Sequence, residues 1–285
     1  MDNDEKKDMI KYVYTLIAAA AVILTIGCSG NAGGGNGKSA EEQAKEKKAD
    51  SLALKVGVGQ TIDCLPAFLA KDEGVFDSLG IDVRLRHYNS LLDCNASLKA
   101  NKIDGAFTDV KSIEHLKAES STDLKQVMKM PMQWTLVTNR LSRLYKLKQF
   151  TDKMVAMSRY SATDYLCDKM VDSVKLDKER VFRIQVNDVD LRLKMLLNNE
   201  IDAAWLPEPQ TAVALKHGHK AMMQSGAEQL AVLAFSAAAM ADKEKKRQID
   251  LFVKGYTIAQ QRIKDGGTRY YSRLVEHYYK YNINK

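Results

Sequence analysis

The residues best suited to chemistry are short polar groups, and they recur at one kind of place. Apolar runs stop at Thr61 and Asp63, at Asn89 and Ser90, and at Thr108 and Asp109. The same happens later at Ser158, Ser161 and Thr163, at Asn187, and at Trp205 with Glu208. Hydroxyls, amides and carboxylates gathered in this way hydrogen-bond a small polar solute. No Gly-x-Ser-x-Gly, no His-Glu-x-x-His and no glycine-rich phosphate loop accompanies them. His217-Gly218-His219 lacks a third ligand at useful spacing and reads as a surface turn, so no metal and no cofactor is expected. Any one of these polar residues also fits as a helix cap. Three such loops on one sheet edge favour a binding cleft.

The elements that must position them alternate. Leu54–Gly59 reads as a strand, and a helix follows with Asp63 as a candidate N-cap and Pro66 near its first position. A strand over Ile81–Leu85, a second helix and a strand over Ile103–Asp109 complete a β-α-β-α-β unit. Lys111–Ala118 reads as a helix and Leu124–Met130 as a strand. Open parallel sheets of this kind bind ligands beyond the carboxyl ends of their strands. Lys153–Met157, Arg183–Val186 and Ile201–Trp205 repeat the pattern. Strands are expected at Trp134–Thr138 and Leu230–Phe235, and helices at Ile249–Ile263 and Tyr270–Tyr281.

Several residues carry two readings. Ser158, Ser161 and Thr163 sit at a helix N-terminus, which suits an anion and equally suits simple capping. Glu208, between Pro207 and Pro209, is either a rigidly aimed carboxylate for a ligand amine or hydroxyl, or the acidic start of a helix. Trp205 either stacks on a planar ligand or belongs to the core. Cys64 and Cys94 both follow strands, which leaves a bridge between them open.

Two stretches carry a resemblance. Pro66-Ala67-Phe68-Leu69-Ala70-Lys71-Asp72-Glu73-Gly74-Val75-Phe76, followed by Leu79-Gly80-Ile81-Asp82-Val83, resembles the start of solute-binding proteins of the nitrate/sulfonate/taurine/thiamine-precursor class, which serve ABC importers. Asn199-Glu200-Ile201-Asp202-Ala203-Ala204-Trp205-Leu206-Pro207-Glu208-Pro209 is similar to that family's second-lobe strand. The resemblance implies an α/β, type II periplasmic-binding-protein-like fold. Two lobes, each a mostly parallel sheet flanked by helices, would be joined by two crossing strands near Trp134–Val137 and Leu230–Phe235. Lobe one would comprise residues 51–136 and 231–285, and lobe two residues 137–230.

The N-terminal end sets the location. Residues 12–26 are apolar and uncharged, a length that suits a signal peptide and falls short of a membrane span. Gly27-Cys28 follows, resembling the lipobox of bacterial lipoproteins, although Leu24 lies one place too far back. Residues 1–27 are therefore expected to be removed and Cys28 lipidated. The acidic residues before Met9 are unusual for a signal peptide, and translation from Met9 would remove them. Residues 28–50 have little apolar content and are expected to form a flexible tether.

The net charge of +7 is spread along the chain and interleaved with acids, so no nucleic-acid partner is expected. Hydrophobic content of 45% and charged content of 28% are ordinary for a globular protein. The reading that follows is a monomeric extracytoplasmic binding protein, lipid-anchored to a bacterial membrane and not an enzyme. It would deliver a small solute to an ABC permease and its ATPase. Asp63, Asp109, Asp164, Asp188 and Glu208, against Arg159 as the obvious base, favour a nitrogen-bearing solute. The alternatives are a cofactor-precursor or menaquinone-pathway enzyme of similar fold, and a ligand sensor without transport.

Overall fold

The computed structural model describes residues 39–226 and 228–283. Helix α1 (Ala40–Leu52) comes first. Lobe one then alternates β1 (Leu54–Val58), α2 (Leu65–Asp72), α3 (Val75–Ser78), β2 (Val83–His87), α4 (Leu91–Lys99), β3 (Gly105–Asp109), α5 (Val110–Ser120) and β4 (Leu124–Lys129). Lobe two holds β5 (Trp134–Thr138), β6 (Lys153–Met157), α6 (Ala162–Ser173), β7 (Val181–Gln185), α7 (Val189–Leu197), β8 (Ala203–Pro207), α8 (Gln210–Lys216) and β9 (Lys220–Gln224). The chain returns to lobe one through β10 (Ala231–Ser236), α9 (Ala237–Ala241) and α10 (Lys243–Tyr279).

The two sheets share one plan. Their strand orders are β2-β1-β3-β10-β4 and β7-β6-β8-β5-β9. In each, four strands run one way and one runs against them: β10 between β3 and β4, and β5 between β8 and β9. The odd strand is the first one the chain forms after crossing from the other lobe. Because β5 lies wholly in the second sheet, the first crossing is residues 130–133, ahead of the expected 136/137 boundary. The chain crosses back between β9 and β10.

A repeated tetrapeptide pins each sheet at the end away from the cleft. Ile103-Asp104-Gly105-Ala106 and Ile201-Asp202-Ala203-Ala204 occupy matching places. The Asp104 carboxylate accepts Lys55 N at 2.8 Å, and the Asp202 carboxylate accepts Met154 N at 2.9 Å. Each acid thus satisfies a main-chain donor at the start of the neighbouring strand. The strands β3 and β8 begin just after these acids rather than at the isoleucines. Gly105 permits close packing here: a methyl group on it would lie 2.2 Å from the Phe235 ring.

One sequence expectation changes. The part of the predicted tether that falls within the described residues is helical, as α1. Its sequence, AEEQAKEKKADSL, is rich in strong helix formers, and this outweighs its lack of an apolar face. A capping box starts it: Ser39 N donates to Glu42 Oε2 at 2.8 Å, and Glu42 N to Ser39 Oγ at 3.2 Å. The two expected C-terminal helices are present within Lys243–Tyr279 and meet at Gly267, where the backbone leaves the helical region with φ at +66°. Beyond it the chain reaches back to lobe two. The Tyr281 hydroxyl donates to Asp190 at 2.7 Å, and Tyr281 and Ile283 pack on the lobe-two core. Residues 1–38, including the predicted signal peptide and Cys28, lie outside the described residues.

Candidate functional site

Six strand-to-helix loops, three from each lobe, meet at the carboxyl ends of the sheets. The loop after β1 meets the loop after β8: Ile62 N donates to Glu208 O at 3.0 Å, and Gln210 Nε2 to Gln60 O at 2.8 Å. The loop after β3 meets the loop after β6, where Ala162 N donates to Asp109 Oδ1 at 2.9 Å. Between them, Ser90 and Asp188 form an antiparallel bridge. Since β1 corresponds to β6 and β3 to β8, the two outer contacts are one contact repeated by approximate two-fold symmetry. Together they border a cavity of about 100 Å³. That is room for several waters, or a solute of roughly half a dozen heavy atoms.

Ten of the twelve predicted residues line this cavity: Thr61, Asp63, Asn89, Ser90, Thr108, Asp109, Ser158, Ser161, Thr163 and Asn187. Their states differ. Ser90 caps α4 by accepting Asp93 N, and its hydroxyl donates to Asp93 Oδ2 at 2.8 Å. In the loop before α6, Ser161 Oγ donates to Ser158 O at 2.7 Å and Thr163 Oγ1 accepts Ser158 N at 2.9 Å. The anion site expected at this helix start is filled from within the protein. Its first N–H, on Ala162, points at the Asp109 carboxylate. Thr108 Oγ1, by contrast, is buried with no protein partner.

Asp63 is not an N-cap. It lies in a single 3₁₀ turn ahead of α2, buried, with Thr61 Oγ1 donating to its Oδ1 at 2.5 Å and the Cys64 thiol 4.0 Å away. Burial pushes its carboxyl up to about 6, against the opposing pull of hydrogen bonds from Thr61 Oγ1 and from the main-chain N–H groups of Asp63 and Cys64. Asp109 is also pushed up to about 6 by burial, although Lys111 N, Ser112 N, Ser112 Oγ and Ala162 N all donate to it.

Two predicted residues stand elsewhere. Trp205 is fully buried in the main apolar cluster, not on the cavity wall. Alternation along β8 decides this: Ala203 and Trp205 face one core, Ala204 and Leu206 the other. Glu208 turns past the cavity, and its Oε2 accepts Ala212 N at 3.1 Å, so its carboxylate caps α8. What β8 contributes to the wall is Pro207. Arg159, the base expected near the ligand, is exposed and lies off this cavity. Cys64, Cys94 and Cys167 are free buried thiols, so the Cys64–Cys94 bridge is not formed.

The residue that sequence reasoning missed is Arg192. It is buried on α7 and lines the cavity. Its Nε donates to Val186 O at 3.0 Å, Nη1 to Trp205 O at 2.6 Å and Nη2 to Ser158 Oγ at 3.0 Å. Burial pushes its pKa down to about 10, which leaves it charged at neutral pH. A signal was present. Val189, Arg192, Leu193 and Leu196 follow the i, i+3, i+4, i+7 spacing of a buried helix face, with one cation among apolar residues. The apolar walls, among them Phe107, Met132 and Trp134, were missed as well. Met132 lies in the first crossing and Trp134 directly follows it, ahead of the boundary the sequence suggests.

This frame of two lobes, with a cleft at their strand ends, matches known proteins. Residues 47–273 match the NMT1-like family. The chain belongs to that family. Among solved structures it is similar to the alkanesulfonate-binding protein SsuA from Xanthomonas axonopodis pv. citri bound to MOPS, at a TM-score of 0.70 and 14% identity, covering 81% of each chain. It is similar to the periplasmic aliphatic sulphonate binding protein SsuA from Escherichia coli, at 0.65 and 13%, covering 79% of this chain and 78% of that one. The periplasmic nitrate-binding protein NrtA from Synechocystis PCC 6803 aligns at 0.63 and 15%, covering 74% and 61%. No curated protein sequence matches. These likenesses give the type II periplasmic-binding fold. Among the described residues no helix is long and apolar enough to cross a membrane, and no cluster of His, Cys, Asp and Glu could hold a metal ion.

Proposed function

We propose that this member of the NMT1-like family is an extracytoplasmic solute-binding lipoprotein. It captures a small polar, nitrogen-bearing organic solute between its lobes and delivers it to an ABC permease and its ATPase. The observation that carries the reading is the cavity at the meeting of six loops, with the unpartnered Thr108 hydroxyl and the Asp63 carboxylate on its wall. A buried hydroxyl without a partner costs free energy unless a ligand supplies one. A carboxylate that meets only uncharged donors suits an N–H group. Cleavage before Cys28 and lipidation of that residue would hold the protein at the membrane surface. The lobes would then open and close by hinge motion at residues 130–133 and 225–230.

A thermal-shift screen of small metabolites tests the reading. At least one nitrogen-bearing solute should raise the melting temperature in a concentration-dependent way, as binding to the folded state requires. A screen in which only nitrogen-free solutes bind removes the finer assignment. A screen in which nothing binds removes solute capture itself.

A further inference from the structure

The main chain crosses between the lobes ahead of β5 and again between β9 and β10. The residues that follow α10 make a further connection, and this one is non-covalent. The last turn of α10 is fastened to lobe one. The Tyr278 hydroxyl donates to Asp72 Oδ2 at 2.7 Å, its ring stacks on Phe68 at 5.4 Å, and the Tyr279 hydroxyl donates to Thr61 O at 2.7 Å. Lys280, with φ at +61°, ends the helix and turns the chain. The residues after it lie on lobe two. The Tyr281 hydroxyl donates to Asp190 Oδ1 at 2.7 Å, Lys216 Nζ donates to Asn282 O at 3.0 Å, and Tyr281 and Ile283 pack on the lobe-two core. Asp190 Oδ1 also accepts Gln210 Nε2 at 2.9 Å, and the same Nε2 donates to Gln60 O at 2.8 Å. Gln60 and Thr61 are neighbours in the loop after β1 that lines the cavity. One hydrogen-bonded circuit thus joins the lobes beside the cavity, from Tyr279 through Thr61, Gln60, Gln210 and Asp190 to Tyr281.

Such a circuit does not survive an opening hinge. Tyr279 and Tyr281 are two residues apart, and extended backbone spans at most about 7 Å over that length. Moving the loop after β1 away from α7 and α8 by more than a few ångströms must break one end. The lobe-one end continues the α10 helix, and Tyr279 is buried there. The lobe-two end rests on the Tyr281 hydroxyl, one lysine bond and two half-buried side chains. It is the end that yields. We infer that residues 280–283 are a strap that holds the lobes shut, and that its detachment from lobe two is a step in opening. Tyr281 supplies the polar clasp, charge-assisted because its acceptor is a carboxylate. Ile283 supplies the apolar anchor. The strap sets how often the lobes part, and so how fast a solute enters and leaves. This rests on the reading that the lobes open by hinge motion, and it adds the element that controls it.

Amide hydrogen exchange of the full-length protein, with no solute added, tests the strap. Two amides report the lobe-to-lobe contacts on either side of the cavity: Ile62 N, which donates to Glu208 O, and Ala162 N, which donates to Asp109 Oδ1. The amides of β3, the central strand of the lobe-one sheet, report the fold as a whole. Tyr281→Phe removes the clasp and Ile283→Ala the anchor. In both variants the Ile62 and Ala162 amides should exchange about tenfold faster than in the wild type, the effect of losing one charge-assisted bond, while β3 is unchanged. Ala162 discriminates, because its contact lies across the cavity from the strap. Unchanged exchange at both amides in both variants overturns the inference. So does faster exchange at Ile62 alone, which is local loosening, and so does an equal rise in β3, which makes the segment a support of the fold. Wild-type amides that exchange faster than β3 and ignore both variants would leave hinge opening standing without the strap, so the two readings fail separately.

Discussion

Asp63 and Asp109 are the same residue type, at the ends of neighbouring strands, on the wall of the same cavity. Burial pushes both carboxyls up to about 6. Their surroundings differ. Asp109 accepts three main-chain N–H groups and a hydroxyl, one of them from the other lobe. It is a structural anion that caps two helices at once. Asp63 meets the Thr61 hydroxyl and the main-chain N–H groups of Asp63 and Cys64 in its own 3₁₀ turn, with the Cys64 thiol at 4.0 Å. The contrast shows that burial and an upward shift do not by themselves mark a ligand site. The donors differ in origin: those on Asp109 come from both lobes and start two helices, whereas those on Asp63 come from its own turn.

The sharpest way to break the comparison is to remove each acid. Asp109→Ala strips the acceptor from Lys111 N, Ser112 N and Ala162 N. Each buried donor left unsatisfied costs about 1–3 kcal/mol, partly offset by the loss of a buried charge. Denaturant unfolding at pH 7 should show a loss on the order of 3 kcal/mol or more. Asp63→Asn should do the opposite to the ligand-free protein. A carboxyl held near 6 and released to its ordinary value of 3.8 on unfolding destabilises the folded state above pH 6 by about 3 kcal/mol. The amide should recover much of that at pH 8. A loss of stability in Asp63→Asn as large as that in Asp109→Ala would erase the distinction.

The dependence on pH follows with a definite sign. Both folded pKa values lie above the unfolded value, so the stability contributed by the protonated carboxyls is complete below about pH 3.8 and is lost as pH rises through about 6. Between those limits the wild type should lose stability from these two groups as pH increases. Asp63→Asn should show roughly half of that slope in melting temperature. An unchanged slope would mean that Asp63 titrates normally.

Ligand affinity gives a smaller but more specific effect. A charge-assisted hydrogen bond contributes about 1.5–3 kcal/mol, so Asp63→Asn should weaken binding of a nitrogen-bearing ligand roughly ten- to a hundredfold. Glu208→Gln should change affinity by less than about twofold, because its carboxylate caps α8 outside the cavity. Melting temperature should fall only slightly, by the few tenths to about 1 kcal/mol such a cap charge contributes. Calorimetric titration and thermal melts of the same samples separate the two outcomes.

Much of the fold was legible in the sequence because its grammar is local. Alternating strands, Pro66 at a helix start and polar residues at strand ends each obey a short-range rule, and ten predicted wall residues do meet at one cavity. The misses are tertiary. The side to which β8 turns Trp205 depends on register within a sheet. Glu208 looked like a ligand group because its two prolines fix the chain, but they do not fix where the carboxylate is aimed. Arg192 was hidden among leucines whose spacing was read as apolar only. The anion site before α6 was lost to Asp109, which arrives from the other lobe and has no local signature. The helix over Ala40–Leu52 was legible in principle, through Ser39 and Glu42, and was overridden by composition.

The central claim is that the lobes close on a solute held between their strand ends. Loop contacts such as Ala162 N to Asp109 and Ile62 N to Glu208 O bridge the two lobes beside the cavity. Small-angle scattering, with and without a saturating ligand from the screen, measures whether they open. The account predicts a larger radius of gyration without ligand and a smaller one with it. An identical radius in both states, with binding verified by calorimetry on the same sample, would contradict capture by closure.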